Sequence, residues 1–197
     1  MSGERLAVFA YGSLVSAPSA AHTLGRPVDR SVPARLPGWR RRWSLCRDNL
    51  RSEKTFALAA DGAVPPFFLG LNLERDETAG DGPNGALIAV SEAGAERLDG
   101  REMRYDRVEV TGDVSGGGAG AFDHVFAYIA KPERHAAKPP YGAVVNAAYA
   151  RAVEAAFADL GPGELDLYRD TTEPCPVEVV EAVLVRDEIP PGNPRGW

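Results

Sequence analysis

Cysteine is scarce in this 197-residue sequence: Cys46 and Cys175 stand far apart and form no recognisable metal motif, which suits reduced, partly buried thiols better than a disulfide framework. Histidine is nearly as rare, and His22 has no second histidine or carboxylate at ligand spacing, so it reads as a surface residue and no metal is expected. No apolar run approaches the roughly 20 residues that cross a bilayer. Positive charge is in the minority too, 22 Lys and Arg against 28 Asp and Glu for a net charge of −6, which argues against nucleic acid as a partner. The one basic cluster, Arg40-Arg41-Arg42, is expected on a solvated strand edge. Residues Met1–Arg5 enter the first apolar run with no segment of signal-peptide length, so a cytoplasmic location is expected.

What is present suits a soluble globular protein, with 44% hydrophobic and 25% charged residues. The length fits one domain over residues 1–197 with an irregular tail around Pro190–Pro194, where Trp197 could dock. Leu6 to Ala10 reads as a buried strand that delivers a Tyr11-Gly12-Ser13-Leu14 turn, with Gly12 expected in a positive-φ conformation. A short helical turn near Pro18 follows. From Pro33 to Cys46, Trp39 and Trp43 alternate with charges as in a half-buried strand broken at Pro37-Gly38. Thr55–Ala60, Phe67–Leu73 and Gly85–Val90 read as short strands of a curved antiparallel sheet or small barrel. Ser91 then caps a helix that ends near Gly100.

Tyr105–Val110 and Phe122–Ile129 read as strands. Between them, Gly116–Gly120 is a connector and not a nucleotide loop, because a strand and not a phosphate-binding helix follows. Ala143–Leu160 is the strongest helical segment, closed by Gly161-Pro162. Pro176–Val185 is the last expected strand.

Two motifs carry chemistry. Successive amides in the Tyr-Gly-Ser turn can face one concavity and hold an anion or carbonyl. In Leu98-Asp99-Gly100-Arg101-Glu102-Met103-Arg104-Tyr105 a single carboxylate, Glu102, sits at a helix-to-strand junction, where a side chain is fixed while its tip stays open to a cavity. On that spacing alone, a glutamate between two arginines is more often a solvated ion-pair partner. Ser13 as a hydrolase nucleophile is disfavoured, since no glycine follows two residues later and no histidine pattern supports it.

Taken in order, A-Y-G-S-L, A-R-L-P-G-W-R-R-R-W, L-D-G-R-E-M-R-Y, Ala127-Tyr128 and Pro140-Tyr141 resemble the γ-glutamylcyclotransferase-like superfamily across most of residues 6–160. The resemblance implies an α+β fold, a small mixed β-barrel with flanking helices. It implies a substrate loop formed by Tyr11, Gly12, Ser13 and Leu14, with Tyr105 and Tyr141 beside it, and Glu102 as the catalytic acid/base. The substrate would be a small γ-glutamyl peptide or amide, glutathione first, cyclised to 5-oxoproline without metal or cofactor. A noncatalytic γ-glutamyl-binding module of the same fold is the other reading. Met103 replaces a glycine common in the family. Choice of leaving amine is expected to lie in residues 76–84, residues 113–122 and the approach to Tyr141.

Overall fold

The computed structural model describes residues 5–28 and 31–189, so the expected tail docking of Trp197 lies outside the described residues. β1 (Leu6–Ala10) is buried along its whole length because it is paired on both sides, with β6 (Asn84–Val90) antiparallel and β8 (His124–Ala130) parallel. Such a central strand needs apolar side chains on both faces, which is why its sequence does not alternate. β2 (Ser31–Arg35) and β7 (Tyr105–Glu109) complete a five-stranded sheet ordered β2-β6-β1-β8-β7. A second sheet runs β10 (Val179–Val180), β9 (Ala143–Asn146), β5 (Phe67–Arg75), β3 (Trp39–Asp48). β4 (Lys54–Leu58) pairs antiparallel with β11 (Ala182–Asp187) as a separate ribbon.

Both large sheets feed one core, which includes Val8 and Phe9 from the first and Trp43, Leu71 and Leu73 from the second. Their strands also meet through Asn72, whose side-chain oxygen accepts the amide of Ala130 at 2.8 Å. The architecture is α+β, with four helices and eleven strands among the described residues. None of those helices is long and apolar enough to cross a membrane.

The helices follow their caps. α1 (Ala17–Leu24) starts at Ser16, whose hydroxyl accepts from the Ser19 amide, and stops at Gly25 with φ 68°; it is longer than the single turn expected. α2 (Glu92–Arg101) starts at Ser91 as expected, with the Ser91 hydroxyl on the Gly94 amide at 3.1 Å, a cap worth about 1 kcal/mol. α3 (Ala147–Leu160) begins four residues later than its alanine-rich pattern suggested, because Asn146 caps it on the Ala148 amide and the β-branched Val144 and Val145 belong to β9. α4 (Glu164–Asp170) was not foreseen. The expected strand over 176–185 is divided between β10 and β11, which join different sheets on either side of Glu181.

The basic run corrects a further expectation. Arg40 and Arg42 are partly exposed and share Glu173, but Arg41 is 0% exposed. Its guanidinium donates to the carbonyls of Tyr11 (3.2 Å) and Asn84 (2.7 Å), to Asn84 Oδ1 (2.9 Å) and to the hydroxyls of Thr171 (3.1 Å) and Thr172 (2.8 Å). It lies 4.9 Å and 4.4 Å from the ring centres of Phe157 and Tyr168. Burial pushes its pKa down to about 9, with the neighbouring tyrosines opposing that fall. β3 is the edge strand of its sheet, with Arg40 and Arg42 on the partly exposed face as expected, but alternation turns Trp39, Arg41 and Trp43 to the inward face. Further along, the β3–β5 register shifts between Arg42 and Leu45, a bulge that places one extra residue in β3.

Candidate active site

The Tyr-Gly-Ser segment leaves β1 and turns at once into a single 3₁₀ turn, Ser13–Val15. The first amides of such a turn have no carbonyl inside it to bond, which leaves the Gly12–Leu14 stretch able to hold an acceptor. Gly12 has φ −139°, so the positive φ expected there is not found. A Cβ at that position would make ordinary contacts, 3.4 Å from the Tyr149 hydroxyl and 3.8 Å from Leu71, so only a side chain larger than alanine would crowd them. The Tyr11 side chain is buried, with its hydroxyl donated to the backbone carbonyl of Tyr128. The opposite end of the same residue is held by Arg41.

α2 brings the second motif to this loop. Its buried stripe of Gly94, Ala95 and Leu98 continues, at helical spacing, into Arg101, so the side chain is carried inward and is only 2% exposed. Arg101 donates to Thr23 Oγ1 (2.7 Å) and the Ser19 carbonyl (3.1 Å) in α1, and to Ser13 Oγ (3.1 Å) in the loop. Its Nε lies 2.9 Å from Glu102 Oε1. Glu102 itself closes the helix, its amide bonding the Leu98 carbonyl at 2.7 Å. A carboxylate at the negative end of a helix is disfavoured by the macrodipole, and the adjacent guanidinium offsets this. Asp99, one turn earlier, accepts the Tyr128 hydroxyl at 2.7 Å, so both motifs are tied to β8.

Two adjoining cavities meet at these residues. The smaller, about 40 Å³, runs along the loop and is lined by Tyr11, Gly12, Ser13 and Leu14 together with Glu102 and Tyr105. The larger, about 180 Å³, extends from Ser13 and Glu102 out past Leu45, Phe56, Phe68 and Ile189. Ser13, Glu102, Tyr105 and Tyr149 line both. Glu102 is thus at the junction, with its side chain 16% exposed.

The surrounding phenols do not compete with it for protons. Burial, reinforced by the charge of Glu102, pushes the Tyr11 hydroxyl well above its ordinary value. Burial and the neighbouring phenols Tyr11 and Tyr149, followed by Glu102, do the same to Tyr105, whose hydroxyl is donated to the Leu71 carbonyl at 2.9 Å. Burial also raises Tyr149, followed by its proximity to Tyr168. The other carboxylate on the cavity wall, Glu53, is held by Arg104 through both oxygens at 2.8 and 2.7 Å.

Of the residues expected at the site, the structure brings together Tyr11, Gly12, Ser13, Leu14, Glu102 and Tyr105. Tyr141 is not among them: it is 100% exposed in the turn before β9 and lines neither cavity. The loops expected to select the leaving amine do not line them either. Residues 113–122 pack on β2 instead, where Ser115 and Arg35 exchange backbone hydrogen bonds at 2.9 Å. The sequence reading missed Tyr149, the one aromatic side chain in the first turns of an alanine-rich helix. It also missed the wall from Arg47 to Phe56, which carries no motif. Among the described residues, no three His, Cys, Asp or Glu side chains are grouped as metal ligands.

By sequence, the chain matches no family model and no curated protein. Its architecture is that of the γ-glutamylcyclotransferase-like fold. YkqA from Bacillus subtilis superposes with a TM-score of 0.56 at 17% identity, over 89% of this chain and 56% of YkqA, so the chain spans little more than half of that protein. A structure named gamma-glutamyl cyclotransferase superposes with a TM-score of 0.55 at 14% identity, over 85% of this chain and 86% of the other.

Proposed function

We propose that this protein is a γ-glutamylcyclotransferase-type lyase, which cyclises a γ-glutamyl amide to 5-oxoproline and releases the amine. The observation that carries the reading is the position of Glu102, where the loop-lined cavity opens into the larger one. The substrate's γ-glutamyl end lies along Tyr11–Leu14 and its leaving amine in the larger cavity, which sets the scissile amide beside Glu102.

The reaction needs little covalent help, because nucleophile and carbonyl belong to one molecule. Glu102 takes a proton from the α-ammonium, and the freed amine attacks the side-chain carbonyl to close a five-membered ring. Loop amides at Gly12 and Ser13 hold the developing oxyanion. Glu102 gives that proton to the leaving nitrogen as the C–N bond breaks, then takes the second proton from the ring nitrogen and passes it to the freed amine, which departs as an ammonium. Every proton is accounted for, and no water, metal or cofactor enters.

The ion pair with Arg101 supports a second reading, a noncatalytic γ-glutamyl-binding module in which Glu102 is structural. Glu102→Gln separates the two. It preserves shape and should keep the fold and the affinity for 5-oxoproline, while turnover of γ-glutamyl peptides falls by about 10²–10⁴-fold, the usual range for a lost acid/base. Measuring 5-oxoproline release from a panel of γ-glutamyl peptides and amines decides the matter: none from the wild-type protein would leave only the binding module, and full turnover by Glu102→Gln would remove Glu102 from the chemistry.

A further inference from the structure

The β4–β11 ribbon leaves one edge of β11 open. The Glu181 carbonyl accepts the Ala59 amide at 2.9 Å, and the Glu188 amide donates to the Glu53 carbonyl at 2.7 Å. Leu58 and Phe56 turn their amides the other way, to the Ala63 carbonyl (2.7 Å) and to Asn49 Oδ1 (2.9 Å). Such directions alternate along an antiparallel pair. The backbone groups of Val183 therefore face β4, while those of Ala182 and Leu184, which lie opposite Leu58 and Phe56, point away from it. Among the described residues, β11 pairs with no strand but β4. Its side chains are uncovered as well. Eight large apolar side chains are exposed among the described residues, and six of them, Leu50, Val64, Val179, Val183, Leu184 and Val185, lie on β11 or on the segments that flank the ribbon. An open edge with apolar side chains is a template for a further strand, and a two-stranded ribbon gains from extension.

The order of charges selects the strand that fits. The register of β11 on β4 shifts between Leu184 and Arg186, so residue 185 is the extra one, and Val183 pairs with Ala57 while Arg186 pairs with Thr55. Glu181, Val183 and Arg186 consequently share one face of the ribbon. Counted in paired positions, Glu181 lies two before Val183 and Arg186 two after it. Both charges are exposed, Glu181 beside Arg151 and Arg186 beside Glu188 and Thr55. The strand is thus complementary to an antiparallel copy of itself centred on Val183, with opposite charges at equal distances from the centre.

We infer that β11 is a dimerisation edge: two copies of this chain pair β11 to β11, antiparallel about a two-fold axis at Val183, and join their ribbons into one four-stranded sheet. The inference does not depend on the reaction proposed above. Ala182 and Leu184 exchange backbone hydrogen bonds across the axis, and the apolar side chains cover one another. Each Glu181 stands opposite Arg186 of the partner subunit, which fixes the register of a closed, isologous contact.

Sedimentation velocity of the full chain at micromolar concentrations should show twice the mass of one chain. Leu184→Pro removes an amide that β4 does not use, so it should leave the circular dichroism spectrum unchanged while the dimer is lost. Val183→Lys sets like charges opposite each other at the axis and should raise the dimer Kd by about 10-fold or more. Val183→Cys should form an intermolecular disulfide on mild oxidation, because facing residues of a non-hydrogen-bonded pair have Cα atoms about 4.5 Å apart, within disulfide range. Val64→Cys, exposed but off the axis, should not. A monomer at every concentration would overturn the inference and leave the edge to residues 190–197 or to a strand of another protein. A dimer that persists in both Leu184→Pro and Val183→Lys would also overturn it, as would cross-linking through Val64→Cys as ready as through Val183→Cys.

Discussion

Arg41 and Arg101 are both buried and both grip the Tyr-Gly-Ser segment, yet they are held in opposite ways. Among the described residues, Arg41 bonds only neutral oxygens and is sandwiched near two aromatic rings. Arg101 has a carboxylate beside it as well as hydroxyl and carbonyl acceptors. The first ties the loop to β6 and α4 whatever the ionisation of any acid. The second ties the same loop to Glu102, so position and charge are set together. A buried cation with neutral partners is a brace, and one with a carboxylate at the cavity junction is part of the site's electrostatics.

That contrast can be broken at several points. Arg41→Met should have the largest effect, a loss of about 3 kcal/mol or more of stability in urea unfolding, because the carbonyls of Tyr11 and Asn84 and two threonine hydroxyls lose a charged donor in the interior. A stability change within about 0.5 kcal/mol, the range of ordinary surface substitutions, would show that Arg41 is not a brace. Arg101→Met should act on turnover more than on stability. With Ser13 and Glu102 no longer coupled, kcat should fall about 10²-fold through misplacement of reacting groups, with 5-oxoproline affinity less affected. An unchanged kcat would detach Arg101 from the site.

Gly12→Val should weaken 5-oxoproline binding by about 10-fold, since its methyl groups must push aside the Tyr149 hydroxyl or Leu71 at a cost of about 1–3 kcal/mol. The smallest effect concerns Glu74, outside the site. Burial alone would raise its carboxyl, but hydrogen bonds from Ser44, Arg42 and His135 outweigh that and hold it below the ordinary range. A carboxylate with a lowered folded pKa contributes its stability in full above the unfolded value of about 4.3 and loses it as pH falls through the lower folded value. Glu74→Gln should therefore be less stable than wild type near pH 7, and the difference should shrink below about pH 4. A difference that stays constant into acid would assign Glu74 a packing role only.

Much of the architecture was legible because local signals agreed with it. The unalternating run at Leu6–Ala10, the Ser91 cap and the Trp39/Trp43 alternation each determine an element by themselves. The start of α3 was misread because alanine-rich sequence hid the β-branched pair Val144-Val145, whose strand pairing depends on distant Phe67 and Phe68. The loop and Glu102 were legible as motifs. The outer wall was not, because Arg47 comes from β3, Lys54 and Phe56 from β4, and Arg104 from the turn before β7. Arg41 was misjudged for a related reason: charge predicts exposure unless the interior supplies enough oxygens, and those come from residues 11, 84, 168, 171 and 172.

The extra residue in β3 has one further consequence. Before it, Arg41 pairs with Leu73 and Arg42 with Asn72; after it, Leu45 pairs with Gly70, Cys46 with Leu69 and Arg47 with Phe68. Paired residues share a face, so the bulge inverts the parity of the strand, and Leu45 and Arg47 emerge on the side of Asn72 while Arg41 stays on the side of Leu73. One strand therefore serves as a brace behind the loop in its first half and as a wall of the cavity in its second. In a strand of the same sequence without that shift, Arg41 and Arg47, an even number of positions apart, would be in phase, and Arg47 would lie on the side that Arg41 already occupies.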